Sequence, residues 1–228
     1  MKNKSYLNFV CLFVLVFSSL YAQITESEQE ALEPDVVLAE LMAGNKRYVE
    51  GNLSTVDITG RIETTAKGQF PKAVILSCLD SRVPVEKVFD RSIGDLFVGR
   101  VAGNIENEDQ IGSMEFATKL AGAKLIMVLG HEGCGAVKGA CQDVQLGNLT
   151  QLLEKIQPAI YSVQGFSAEE RTVENEEFIN SVVKQNVRKT VNDIRRRSEV
   201  LSDLEKDGDI KIVGAIYSLK TGKVSLLD

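Results

Sequence analysis

Lys124-Leu125-Ile126-Met127-Val128-Leu129-Gly130-His131-Glu132-Gly133-Cys134-Gly135-Ala136-Val137 is the stretch that decides the fold. From Lys124 to Leu129 it is short and almost wholly apolar, which fits a strand buried on both faces, as in a parallel sheet. The glycines then turn the chain, and Ala136, Val137 and Ala140 continue as one face of a helix. A strand that turns tightly into a helix is the building unit of an α/β sheet. In open parallel sheets the ligand site lies just outside the carboxyl ends of the strands. The only histidine of the chain, His131, stands at that place, with Cys134 three positions later.

Working outward, Ala73-Val74-Ile75-Leu76 and the run from Asp95 to Val101 have the same short apolar character. Between the second and third runs, Ile111, Met114, Ala117, Thr118 and Ala121 mark a helix ending at Gly122. Ile179, Val183, Val187, Val191 and Ile194 recur at helical spacing and predict a long helix that ends before Asp207-Gly208. Two final strands, 210–217 and 223–227, flank a turn at Lys220-Thr221-Gly222. Near the other end, Pro34 opens a helix with Val37, Leu38, Leu41 and Met42 on one face and Gly44 as its stop, followed by an extended connection to about Gly68. The expected fold is α/β: a central, mostly parallel sheet flanked by helices, in a single domain over 35–228.

The first 22 residues carry Lys2 and Lys4, an apolar run from Phe9 to Phe17, and small or polar residues up to Ala22. That is the layout of a secretory signal peptide, so the chain is expected to be exported, to a periplasm, with no membrane contact beyond this segment. A polar lead-in follows at 23–34. Loss of the two lysines takes the formal charge from −6 to −8, which argues against nucleic acid as a partner. Arg195-Arg196-Arg197 falls where the long helix ends, and cations there offset the helix dipole. Three cysteines remain after Ala22. An odd number in an oxidising compartment is a poor disulfide framework and points to metal ligation.

Cys78 follows the strand 73–76 as His131 follows its own strand, 53 positions apart, so only the fold can bring them together. Two thiolates and an imidazole are a ligand set for zinc, and three protein ligands leave a fourth position open. Cys134 at a helix N-terminus gains from the helix dipole as well as the metal. His131 alone could equally be a core histidine, and free cysteines are commonly small buried hydrophobes; the metal reading rests on the three together. Cys141 is read as an inert core thiol, and a Cys134 to Cys141 disulfide is disfavoured because two helical turns separate them by about 10 Å. Asp80 and Arg82 lie just beyond Cys78. They are either a catalytic carboxylate with its guanidinium partner or an ordinary turn with a surface ion pair.

Ser77-Cys78-Leu79-Asp80-Ser81-Arg82-Val83-Pro84 and Gly130-His131-Glu132-Gly133-Cys134-Gly135-Ala136-Val137 resemble the two signatures of the β-class carbonic anhydrases. The likeness extends through Gly99-Arg100-Val101-Ala102-Gly103-Asn104, Gly112 to Ala117, and Val213 to Tyr217. It implies reversible hydration of carbon dioxide to bicarbonate through zinc-bound hydroxide, one Zn2+ per chain held by Cys78, His131 and Cys134, with Asp80 and Arg82 as the catalytic pair. It further implies substrate contacts at Gln69, Phe97, Gly103 and Phe116, and a homodimer or larger homo-oligomer with the pocket at the interface. Phe116 stands where some members carry tyrosine, which leaves the pocket apolar but removes a hydroxyl. Some members also bind bicarbonate at a non-catalytic pocket that includes tryptophan; this chain has no tryptophan, so a constitutively open site is expected. Carbonyl sulfide and carbon disulfide hydrolases look similar around the same motif and are the nearest alternative.

Overall fold

A computed structural model describes residues 23–227, so the expected signal segment lies outside the described residues. The strands are β1 (Ala73–Ser77), β2 (Leu96–Arg100), β3 (Leu125–His131), β4 (Lys211–Tyr217) and β5 (Val224–Leu227), in the order β2-β1-β3-β4-β5. The first four are parallel to their neighbours and β5 is antiparallel to β4. This is the expected mostly parallel sheet. Every residue of β1 and β3 is buried, which is why these two strands read as continuous apolar runs.

Helices cover both faces of the sheet. They are α1 (Glu26–Glu30), α2 (Pro34–Val49), α3 (Ile58–Thr65), α4 (Val85–Val88), α5 (Glu108–Glu115), α6 (Gly135–Cys141), α7 (Gly147–Glu154), α8 (Gln157–Ser162), α9 (Glu176–Arg197) and α10 (Glu199–Lys206). Alternation along β1 and β3 sends side chains to two cores. Val74, Leu76, Ile126 and Val128 meet Val183 and Val187 of α9 on one face. Ile75, Leu125, Met127 and Leu129 meet Val37 and Leu41 of α2 on the other. At about 25 cal/mol per Å² of apolar surface removed from water, these two layers are the main source of stability.

The structure corrects several expected boundaries. Gly44 does not stop α2; it is buried in mid-helix, where a Cβ would lie 1.9 Å from the Phe89 carbonyl oxygen, and the helix runs on to Val49. Gly44 is therefore a packing glycine. The connection expected to be extended contains α3, capped by Asp57, whose carboxylate accepts from the Gly60 N–H. After α5, residues Phe116–Leu120 widen into one π-helical turn before Gly122 closes at φ 76°. The long helix is two: Ser198 ends α9 in extended geometry, and its hydroxyl accepts from Leu201 N to start α10. The three arginines do end α9, yet Arg195 is clamped to Glu205 and the Ile212 carbonyl, and Arg197 reaches buried Glu106. In the lead-in, a Thr25 and Glu28 capping box starts α1, and Gln29 is buried with its amide donating to Pro71 O and Ala121 O. No described helix is long and apolar enough to cross a membrane.

Candidate metal centre

Two strand ends and one helix start build the site. Cys78 is the first residue after β1, His131 is the last of β3, and Cys134 is the N-cap of α6. Since Ser77 pairs with Leu129, the two chains leave the sheet side by side. Gly133, at φ 60°, turns the chain so that Cys134 faces back to His131. This left-handed conformation is cheap only for glycine.

Cys78, His131 and Cys134 are all buried, and one ligand atom from each lies within 4.8 Å of the others. The two sulfurs are 3.8 Å apart. Sulfurs each about 2.3 Å from a tetrahedral zinc stand about 3.8 Å apart, so the pair is set at zinc-ligand spacing. His131 Nδ1 lies 2.9 Å from the Glu132 carbonyl oxygen. A carbonyl can only accept, so Nδ1 carries the proton and Nε2 presents its lone pair. Nε2 is buried with no hydrogen-bond partner among the described residues. A buried, orphaned imidazole nitrogen beside two sulfurs is a donor waiting for a cation, so the residues fit zinc.

Electrostatics agree. Between the two thiols, the hydrogen bond to Cys78 holds Cys134 far below the usual thiol range, to about 4, with further help from His131 and from the Val137 N–H at the start of α6. Cys78 is pushed strongly up by the same hydrogen bond and by burial. Two buried thiolates at this distance cannot both stand without a compensating positive charge, and a divalent cation supplies it. Burial opposes charge on His131, but Cys134 and Asp80 outweigh it and raise its pKa.

Arg82 grips Asp80 in a fork: Nε donates to Oδ1 at 2.9 Å and Nη2 to Oδ2 at 2.7 Å, while the Arg82 N–H adds a third bond to Oδ1. These bonds hold the Asp80 carboxyl down at about 2 despite partial burial. Its Oδ2 stands 3.5 Å from His131 Nε2. The pair therefore sits beside the ligand cluster, with Asp80 turned to Arg82.

Gly103 also belongs here. Its N–H donates to Cys78 Sγ at 3.2 Å, it has φ 72°, and a Cβ would lie 2.7 Å from Ile156 Cδ1. Only glycine fits. The other expected substrate contacts are not brought to this chain's own cluster. Phe97 pairs with Val74, four residues before Cys78 and so about 13 Å away along the strand. Its ring meets half-exposed Phe116 at 6.2 Å, edge to face, beside a cleft of about 790 Å³ between β2 and α5. Gln69 is exposed in a separate open depression with Lys67 and Gly94. Cys141 is half-buried against the core, with burial raising its thiol to about 11, and it is not bonded to Cys134.

Sequence reasoning missed Asn180 and Asn186 of α9. The Asn180 side-chain oxygen accepts from the Gly133 N–H at 3.0 Å, and Asn186 donates to the Gly103 carbonyl at 2.7 Å. The available signal was Asn186 lying four residues from Val182 and Thr190, a polar residue on a buried stripe.

Residues 73–224 match the family described as carbonic anhydrase. Carbonic anhydrase 2 of Mycobacterium tuberculosis is 34% identical over 199 residues, covering 82% of this chain and 90% of the relative. The carbonic anhydrase of Mycolicibacterium smegmatis is 34% identical over 192 residues, covering 82% and 89%. Among solved structures, the β-carbonic anhydrase CcaA superposes with a TM-score of 0.64 at 26% identity, covering 84% of this chain and 95% of that one. A tetrameric β-carbonic anhydrase of Sordaria macrospora shares the fold with a TM-score of 0.65 at 22% identity, covering 85% and 94%.

Proposed function

This chain belongs to the carbonic anhydrase family, in its β class, and from that premise we propose that it acts as an exported, oligomeric enzyme whose zinc is held by Cys78, His131 and Cys134. Its reaction is the reversible hydration of carbon dioxide to bicarbonate and a proton. The observation that carries the assignment is the convergence of three buried ligand atoms within 4.8 Å, two of them sulfurs 3.8 Å apart.

Zinc, when bound, supplies a Lewis acid that makes water nucleophilic near neutral pH. Cys78 and Cys134 would contribute the negative charge that holds the ion, and His131 would offer the lone pair of Nε2, its Nδ1–H donating to the Glu132 carbonyl oxygen at 2.9 Å. Asp80, its carboxyl held down at about 2, is ionised at neutral pH and would accept a hydrogen bond from a water brought to the ligand cluster. Arg82 holds that carboxylate through two side-chain bonds of 2.9 and 2.7 Å, and so would keep it from serving as a ligand itself. Gly103 lines the pocket with backbone alone. The single histidine is committed to the metal, so the proton leaves through water, carboxylates or buffer.

Oligomerisation completes the pocket. Gln69, Phe97 and Phe116 lie away from their own metal cluster, on a side of the molecule with exposed Ile58, Ile62 and Leu120 and with the half-exposed edge strand β2. Apposed to a second copy, they would supply the apolar wall and the amide to the partner's metal site. Export is supported by Lys2, Lys4, the apolar run and Ala22, and would put the reaction in a periplasm.

Stopped-flow measurement on the zinc-loaded chain from Gln23 is expected to show fast carbon dioxide hydration between about pH 6 and 9. Cys134→Ala should lose zinc and at least about 10³-fold in rate. One tightly bound zinc per chain with no hydration at any of these pH values would overturn the assignment.

A further inference from the structure

Helix α9 is the element that joins the two halves of the ligand set. It lies close against the sheet because Gly130 of β3 and Gly214 of β4 make room for Val187: a Cβ on either would lie 2.6 or 2.8 Å from that side chain. The residue beside Val187 is Asn186, 2% exposed, and its Nδ2 donates to the Gly103 carbonyl at 2.7 Å. The N–H of the same Gly103 donates to Cys78 Sγ at 3.2 Å. One residue of the turn after β2 is thus held at both ends, by the helix through its carbonyl and by the ligand sulfur through its amide.

The orientation of the Asn186 amide is fixed by chemistry. A carbonyl accepts, so the NH2 group must face Gly103, and this leaves Asn186 Oδ1 buried with no hydrogen-bond partner among the described residues. Burying an acceptor unpaired is unfavourable, and an apolar side chain here would avoid it. The packing of α9 therefore does not call for asparagine; the bond to Gly103 does. That turn also leaves regular geometry, with Val101 extended, Gly103 at φ 72° and Asn104 at φ 44°.

Resting on the zinc assignment above, we propose that Asn186 is a positioning residue of the metal centre: through the Gly103 carbonyl it fixes the N–H that bonds the Cys78 sulfur, and so sets the position and electron density of that ligand. A hydrogen bond to a thiolate withdraws charge from sulfur and orients its lone pairs, and such outer partners commonly change metal affinity 10- to 100-fold. Thr190 is the built-in comparison. It lies one turn further along the same face, is fully buried, and its hydroxyl has no hydrogen-bond partner among the described residues.

The test uses the full mature chain. Zinc affinity is measured by chelator competition, and the cobalt-substituted protein is examined for its sulfur-to-cobalt charge-transfer absorption, with thermal melting of each variant alongside. Asn186→Ala is expected to weaken zinc binding about 10- to 100-fold and to shift the charge-transfer band, whereas Thr190→Val leaves both as in the unaltered chain. An Asn186→Ala protein that melts lower but binds zinc within about twofold of the unaltered chain, with the same band, overturns the proposal. If alanine does not fold, Asn186→Leu keeps the approximate shape and removes the donor, and the same outcomes apply. If neither folds, cadmium NMR of the unaltered chain decides, because a scalar coupling between the metal and the Gly103 N–H requires the N–H to S bond; its absence overturns the proposal. An unaltered chain that binds no zinc would instead sink the enzyme assignment.

Discussion

The ligand loops and the β2 edge are built on opposite plans. Cys78, His131 and Cys134 are at most 4% exposed, and their loops are tied by side chains from other elements, Arg100 donating to the Cys78 carbonyl and Asn180 accepting from the Gly133 N–H. Phe97, Phe116 and Gln69 sit on half-exposed or open surface, and Phe116 is 50% exposed with its ring edge to face against Phe97. A metal site must hold three donors to a fraction of an ångström before anything binds, so it is finished inside one chain. A wall for a small apolar substrate needs only an apolar surface and exclusion of water, and this can be left to association of two chains.

The difference is broken most severely at Arg82. Arg82→Ala removes both side-chain donors from Asp80 and leaves the carboxylate beside the ligand cluster with one backbone partner. We expect kcat/KM to fall by about 10²- to 10³-fold with zinc still bound, and the cobalt-substituted variant to show a carboxylate entering the coordination shell. Full activity in this variant would mean that Asp80 is kept from the metal by the chain geometry alone. Phe97→Glu combined with Leu120→Glu tests the other half. Sedimentation should show the assembly dissociating, zinc content should stay at one per chain, and activity should drop by about 10- to 100-fold. A fully active monomer would show that each chain completes its own pocket and would refute the shared-pocket proposal.

Legibility in the sequence followed the same division. The ligands could be found because a buried parallel strand leaves an unbroken apolar run, and the residues just after it are fixed in space by the sheet. Cys78 and His131 were therefore placed before any contact was known. The pattern does not show where Phe97 and Gln69 come to lie relative to the metal cluster, because an edge strand and a core strand carry the same apolar residues. Gly44 was misread as a stop because the sequence does not show the Phe89 backbone 1.9 Å from where its Cβ would be. Helices α3, α7 and α8 are six to eight residues long, too short for a periodic pattern to stand out. Asn186 was passed over because a polar residue in a long helix is usually solvent-facing, and only the burial of Val182, Thr190 and their neighbours shows that it is not.

The smallest effect concerns how the edge half is fastened to the core. Asp90, at φ 51°, accepts from Arg47 Nε and from both the N–H and the hydroxyl of Ser54, pinning the loop that leads from α2 into α3 and on to Gln69. Burial pushes its carboxyl up, but the Arg47 and Ser54 donors outweigh this, and its pKa lies below the usual value. A carboxylate whose folded pKa is depressed stabilises the protein above its unfolded pKa of about 3.9, and loses that contribution as pH falls through the lower folded value. Asp90→Asn keeps the shape and tolerates the positive φ, but removes the charge. It should cost about 1 to 2 kcal/mol at neutral pH by urea denaturation, with Arg47 partly exposed and its share correspondingly screened. The gap between the two proteins should close as the pH is taken below about 4. A constant gap at all pH values would assign the effect to shape and not charge. A gap with no change in zinc affinity would show that the edge can be loosened while the metal loops stay fixed, which is what separate fastening of the two halves requires.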